Sequence, residues 1–104
     1  LWYDSVGSVK PGTMAMNPYK DSGKLLKYNR LTVGLAREDV RWLQWELREA
    51  GYELVVDGKF GPKTDLALRA FQASHPGTFS GKLPDGICGS KTREALKADT
   101  SLAA

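Results

Sequence analysis

The chain has 104 residues, is 41% hydrophobic and 26% charged, and carries one cysteine, one histidine and a formal net charge of +3. That is the size and balance of one folded domain with room for an extension; no apolar run approaches the roughly 20 residues needed to cross a bilayer, and one cysteine excludes an internal disulfide. Residues 1–36 carry the whole +3, whereas residues 37–104 hold ten basic and ten acidic side chains, a split that counts against a nucleic-acid-binding face on the second part.

Residues 1–30 read as a linker or N-terminal extension. They contain Pro11, Pro18, Gly7, Gly12, Asn17 and Gly23 without a sustained period. The aromatics Trp2, Tyr3, Tyr19 and Tyr28 are too many for a freely disordered tail, so part of this stretch is expected to dock. The start at Leu1 is what a fragment or a processed piece of a longer chain would show. A folded unit over residues 31–100 follows, with 101–104 as a tail.

The first helix is expected over Glu38–Ala50. Val40, Leu43, Gln44, Leu47 and Ala50 share one face at 100° per residue, two acids stand in the first turn, and Gly51 lies just past the end. Trp42 and Trp45 fall about 200° and 140° round the helix from Val40, away from that stripe. Two readings of the indoles stand: cover by the N-terminal segment through Trp2, Tyr3, Tyr19, Leu25 or Leu26, since large exposed apolar patches are rare, or a surface for stacking on sugar rings. After a connection in which Leu54-Val55-Val56 could pair briefly with extended backbone near Leu83, a second helix is predicted from Pro62 to Ser74, with Thr64, Ala67, Leu68 and Phe71 inward. It ends before His75-Pro76, where the residue before proline leaves the α region. A third helix runs from about Ser90 to Ala98 with Thr92, Ala95 and Leu96 inward. The fold class is therefore all-α, a small three-helix bundle.

The two connections carry a repeat. DGKFGPKTDLAL, Asp57–Leu68, returns as DGICGSKTREAL, Asp85–Leu96, identical at seven of twelve positions at a constant offset of 28 residues. Such a repeat reports one structural unit used twice. Asp-Gly makes a tight turn, the next glycine opens a helix with Pro62 at its first position in the first copy, and Thr64 and Thr92 fall in the first turn, where a hydroxyl can bond orphan backbone groups. Cys88 takes the place of Phe60 and reads as a small apolar core residue.

The pattern VRWLQWELREAGY, then DGKFG with Thr64, Ala67-Leu68 and Phe71-Gln72, then LPDG with Gly89, Thr92 and Ala95-Leu96 closely resembles the peptidoglycan-binding domain that accompanies cell-wall amidases, peptidases, muramidases and phage endolysins. The resemblance covers about Leu31 to Leu96. It implies an orthogonal three-helix bundle with two pseudosymmetric turn-helix units, and a module that accompanies a wall hydrolase such as an N-acetylmuramoyl-L-alanine amidase. NPY at Asn17–Tyr19 is similar to an endolysin linker. Departures are Leu35-Ala36, where small turn residues are usual, and Cys88, where a bulkier apolar residue is common.

The short motifs have simpler readings than chemistry. DGICGSKT lacks the spacing and the strand of a phosphate loop, Asp57 lacks the other oxygens of a calcium loop, and one His with one Cys cannot build a zinc site. No Ser, His and Asp grouping suggests a triad. Gln44 and Gln72 each follow a core residue and read either as side chains bonded to loop backbone, which makes the turns rigid, or as contacts to stem-peptide amides.

The expectation is a non-catalytic peptidoglycan-binding module, without cofactor or metal, monomeric, not inserted in a membrane, and acting at the bacterial cell wall alongside a fused catalytic domain. Its ligand contacts are placed at Trp45, Tyr52, Asp57, Gly58 and Lys59, beside the first Asp-Gly turn. The alternatives are an inhibitory module like a metalloprotease pro-domain, with Cys88 as its switch, and a structural spacer.

Overall fold

A computed structural model describes residues 17–79 and 81–101. Three helices form among them, α1 (Glu38–Glu49), α2 (Pro62–Ser74) and α3 (Ser90–Ser101), and α1 packs against both of the others. The core is built from Val40, Leu43 and Leu47 of α1, Ala67, Leu68 and Phe71 of α2, Leu96 of α3, and Phe60 and Cys88 from the two loops. The apolar spacing that marked the inward faces therefore packs as expected. The third helix runs three residues past the expected Ala98.

Helix ends follow local chemistry. At the close of α1, Gly51 adopts φ +108°, its N–H bonds Arg48 O at 3.0 Å and the N–H of Tyr52 bonds Leu47 O at 3.0 Å. This Schellman ending satisfies two carbonyls and turns Tyr52 back onto the core, where its ring meets Phe71 edge-on at 6.3 Å. α2 starts with Pro62 at its first position and closes at His75. The His75 ring stacks on Phe71 at 4.0 Å, and its Nδ1 donates to Phe71 O at 2.8 Å, which fixes it as the loop residue expected. The start of α1 departs from common practice: Arg37 occupies the cap position in extended conformation and its side chain makes no cap bond.

One expectation about α1 is corrected, that Trp42 points away from the core, and another, that the N-terminal segment covers it, is borne out. Trp42 does not lie on an open face; it is 5% exposed, and Asp39 and Glu46 are buried as well. The helix is enclosed on its far side because residues 17–26 run across it as a strap. Asn17 Nδ2 donates to Trp42 O and to Glu46 Oε2, both at 3.0 Å. The N–H of Lys20 bonds Glu38, and Ser22 Oγ bonds Asp39 at 2.7 Å. From α3, Arg93 places its guanidinium over the Trp42 ring at 5.6 Å, pairs with Asp21 at 2.6 Å and donates to the carbonyls of Lys24 and Cys88. Of the residues offered as cover, Leu26 is 1% exposed and Tyr19 packs on the core, while Leu25 is exposed; Trp2 and Tyr3 lie outside the described residues.

A second correction concerns extended pairing. Leu54-Val55-Val56 does not pair near Leu83; the one isolated bridge among the described residues joins Leu26 to Cys88, with N–H to carbonyl distances of 3.2 and 2.8 Å. The strap reaches Cys88 first because a small side chain there lets backbone approach backbone. Cys88 is fully buried, and burial, only partly offset by Arg93, pushes its thiol up to about 12. A cysteine held in that state cannot serve as an accessible zinc-blocking switch.

Candidate functional site

The two Asp-Gly turns are built alike, and the amide of a glutamine on the preceding helix is the hub of each. Gln44 Nε2 donates to Asp57 Oδ1, Lys59 O and Thr64 Oγ1, each at 3.0 Å, while its Oε1 accepts the N–H of Asp57 at 3.0 Å and of Gly58 at 2.8 Å. In the second copy Gln72 Nε2 donates to Asp85 Oδ1 and Ile87 O at 3.0 Å and to Thr92 Oγ1 at 3.3 Å, and Oε1 accepts the N–H of Gly86 at 3.0 Å. Gln44 and Gln72 are separated by the same offset as the loops, so the repeat includes the helix before each turn. The reading of these glutamines as braces for loop backbone holds. The reading of Thr64 as a backbone cap does not: its hydroxyl accepts from Gln44, and that buried amide is its partner.

Gly58 and Gly86 are needed in these turns. Both have left-handed φ, +80° and +69°. A Cβ on Gly58 would stand 3.0 Å from the backbone N and O of Arg37, whose N–H bonds Gly58 O; one on Gly86 would stand 2.7 Å from Asp65 Oδ1 and 2.8 Å from Arg69 Nε. Each turn is thus pressed against the start of the helix that braces it.

Beside the first turn lies an open groove of about 480 Å³, lined by Gln44, Leu54, Val55, Asp57, Lys59, Gly61, Pro62, Lys63 and Thr64. A second hollow of about 690 Å³, between Tyr19, Arg48, Gly51 and Tyr52, flanks the other side of Leu54–Val56. Of the five residues placed at the site from sequence, Asp57 and Lys59 line the first hollow and Tyr52 the second. Gly58 is buried, its N–H held by Gln44 and its carbonyl by Arg37. Trp45 is half-buried on α1 and lines neither hollow. The residues that sequence reasoning left out are Leu54, Val55, Pro62 and Lys63; the β-branched run had been noticed, but as a pairing strand and not as a wall.

Burial would raise the Asp57 carboxyl, but the N–H of Lys59, the Gln44 amide and the nearby Lys59 charge together hold it below the usual aspartate range. Its Oδ1 is occupied within the turn, and the groove's lining carries two lysines, Lys59 and Lys63, against this one carboxylate. The hollow can receive an extended ligand with apolar stretches and an anionic end. Among the described residues no group of His, Cys, Asp and Glu could hold a metal ion.

Paired braced turns on a three-helix bundle, with an open groove at the first of them, are the features this fold offers. Comparison with known proteins gives the family: the peptidoglycan binding domain matches residues 36–96, more than half of the chain, and the chain belongs to that family. It is 40% identical over 67 residues to a zinc D-Ala-D-Ala carboxypeptidase of Streptomyces albus G, a match covering 60% of this chain and 24% of that protein. It is 37% identical over 70 residues to the N-acetylmuramoyl-L-alanine amidase CwlM of Mycobacterium tuberculosis, covering 66% of this chain and 16% of that protein. The chain thus spans a quarter or less of the length of these relatives. No solved structure matches it significantly.

Proposed function

We propose that this chain is a non-catalytic wall-binding module that holds a peptidoglycan hydrolase at its substrate. The observation that carries the reading is the open groove at the first Asp-Gly turn, which lies within the residues matched by the family. Both relatives are named for cleavage within or at the peptide stem, and both are several times longer than this chain. A tether of modest affinity for a repeating polymer raises the effective concentration of the attached domain at its bond without any new chemistry.

In this reading Asp57 and Lys59 contact the wall from one side of Leu54–Val56 and Tyr52 from the other. Gly58 lets the turn close and Trp45 extends the surface along α1. The module works as a monomer at the cell wall or outside the cell. Sedimentation of the chain with purified sacculi tests the proposal: retention that persists at about 0.3 M salt is expected, because the bundle is electrically balanced and screening weakens only charge-led contacts. Absence from the pellet at any salt would leave a spacer, and release at about 0.3 M would transfer the anchor to the basic N-terminal segment.

A further inference from the structure

Glu53, Leu54, Val55 and Val56 belong to no helix or paired strand among the described residues, yet they carry a strand's pattern of burial. Their exposure alternates, with Glu53 and Val55 outward and Leu54 and Val56 half-buried, and Val55 is 73% exposed. That is the period of a β-strand lying on a core. Yet among the described residues no group bonds the backbone N–H or carbonyl of these four. The segment is held at its two ends, by the Schellman turn at Tyr52 and by the Gln44 bonds to Asp57 and Gly58, so its course is set from those ends without a partner strand among the described residues. Hollows flank it on both sides.

We infer that this edge receives a short peptide of the wall in extended form, paired backbone to backbone with Leu54–Val56, with the peptide's carboxylate at Lys59 and Lys63. This rests on the wall-binding reading and names the part of the wall that is gripped. Where its residues are α-linked, as at the L-Lys-D-Ala end of a wall stem that also carries the terminal carboxylate, an extended peptide presents donors and acceptors at the repeat of a strand edge, so main-chain bonds there supply affinity and the flanking hollows supply selection. A sugar chain lacks that repeat of alternating amide groups. The charges agree: neither Lys59 nor Lys63 has a carboxylate partner in salt-bridge reach among the described residues, and the two ammonium-bearing residues outnumber Asp57, the one acid that lines the same groove. The free edge spans three to four residues, roughly 10–13 Å at the usual strand rise, which fits a tripeptide or tetrapeptide.

Amide hydrogen exchange on the whole chain, read residue by residue by NMR, tests this with three probes: the tetrapeptide L-Ala-γ-D-Glu-L-Lys-D-Ala, its C-terminal amide, and an N-acetylglucosamine tetramer. The acid peptide should slow exchange of at least one amide among Leu54, Val55 and Val56 by tenfold or more at saturation. The amidated peptide and the Lys59→Gln/Lys63→Gln double variant should each weaken binding severalfold, and Val55→Pro, folded by its helical circular dichroism, should bind the peptide at least tenfold more weakly. Protection of these amides by the sugar tetramer, or peptide binding with no protection there, would overturn the inference. If sacculi still retain the chain while the peptide leaves this edge unprotected, the inference fails and the wall-binding reading survives; if neither binds, both fail.

Discussion

Replacing Gln44 by Met isolates what the side-chain amide does. Met has nearly the same length and volume, so the packing around a residue 1% exposed is kept and only polar partners are lost. Of the five bonds, those to Asp57 and to Lys59 O can be replaced by water at the surface. The N–H of Gly58 and the hydroxyl of Thr64 are buried and have no such recourse. Each buried group left unsatisfied costs about 1–3 kcal/mol, so Gln44→Met should destabilise by about 3–4 kcal/mol. The twin Gln72→Met should cost somewhat less, about 2–3 kcal/mol on the same basis, because Thr92 keeps its bond to Thr78 O at 3.1 Å whereas Thr64 has no second partner among the described residues. Urea unfolding followed by fluorescence of the buried Trp42 measures both. A loss below about 1 kcal/mol for Gln44→Met, within the net worth of one ordinary hydrogen bond, would refute the view that this amide organises the turn.

Gly58→Ala should cost about 2–3 kcal/mol, since a left-handed φ alone costs an L-residue roughly 1–2 kcal/mol and the new Cβ meets Arg37 backbone at 3.0 Å; an unchanged thermal midpoint would contradict the geometry. Thr64→Val should cost about 1 kcal/mol through the lost acceptor for Gln44, and far less in the Gln44→Met background, which a double-mutant cycle reads directly. Deleting the chain through Leu26 should lower the thermal midpoint and make Cys88 react with iodoacetamide at pH 8, where the intact chain is protected by burial and a thiol raised to about 12; equal labelling of both would show that the strap does not seal the core. Asp21 and Asp57 both have folded carboxyls below their ordinary values, burial opposing and hydrogen bonds with neighbouring positive charge prevailing. Their contribution is present above the unfolded value near about 3.9 and is lost as pH falls through the lower folded values. The midpoint should therefore drop between about pH 4 and pH 2, less steeply in Asp21→Asn, and a rise on acidification would reverse the sign of the argument.

The helices were legible because their signals are local. Pro62 at the first turn and His75-Pro76 at the end bracket α2 as read, and the 28-residue offset announced a unit used twice. Local signals also explain why the sequence places Trp42 away from the core, cover by the N-terminal segment being one of two readings for it. A helical wheel assigns an inside and an outside, but α1 has neighbours on nearly every side, and one of them is a strap from residues far away in sequence with no periodicity to reveal it. The bridge between Leu26 and Cys88 joins positions more than sixty residues apart and leaves no trace in either stretch. At the site, the Asp-Gly turn drew attention to Asp57 and Lys59, whereas Val55 and Lys63 gain their place only from the path of the chain between two fixed ends.

The repeat also shows how two like turns come to have unlike surroundings. α2 belongs to both units: Thr64 in its first turn receives the brace from Gln44, and Gln72 near its end braces the second turn, so neither turn can be lost without disturbing the helix that holds the other. Where the copies diverge, the surroundings diverge too. Phe60 fills its own share of the core in the first unit, whereas Cys88 is small, and the strap fills the difference with Leu26 and pairs its backbone there. Leu25 then lies 3.3 Å from where a Cβ on Gly89 would stand. The strap crosses the far side of α1 and ends on the second unit at Cys88, which leaves the first turn open beside Leu54–Val56, with two lysines at its rim. A substitution of Cys88 by Phe, restoring the first unit's residue, should therefore expel Leu26 from its buried place and loosen the strap without closing the groove. Loss of the Leu26 and Cys88 amide protection, with peptide protection at Val55 intact, is the pattern that would separate the two units' roles; protection lost at both would show that the strap and groove act as one surface.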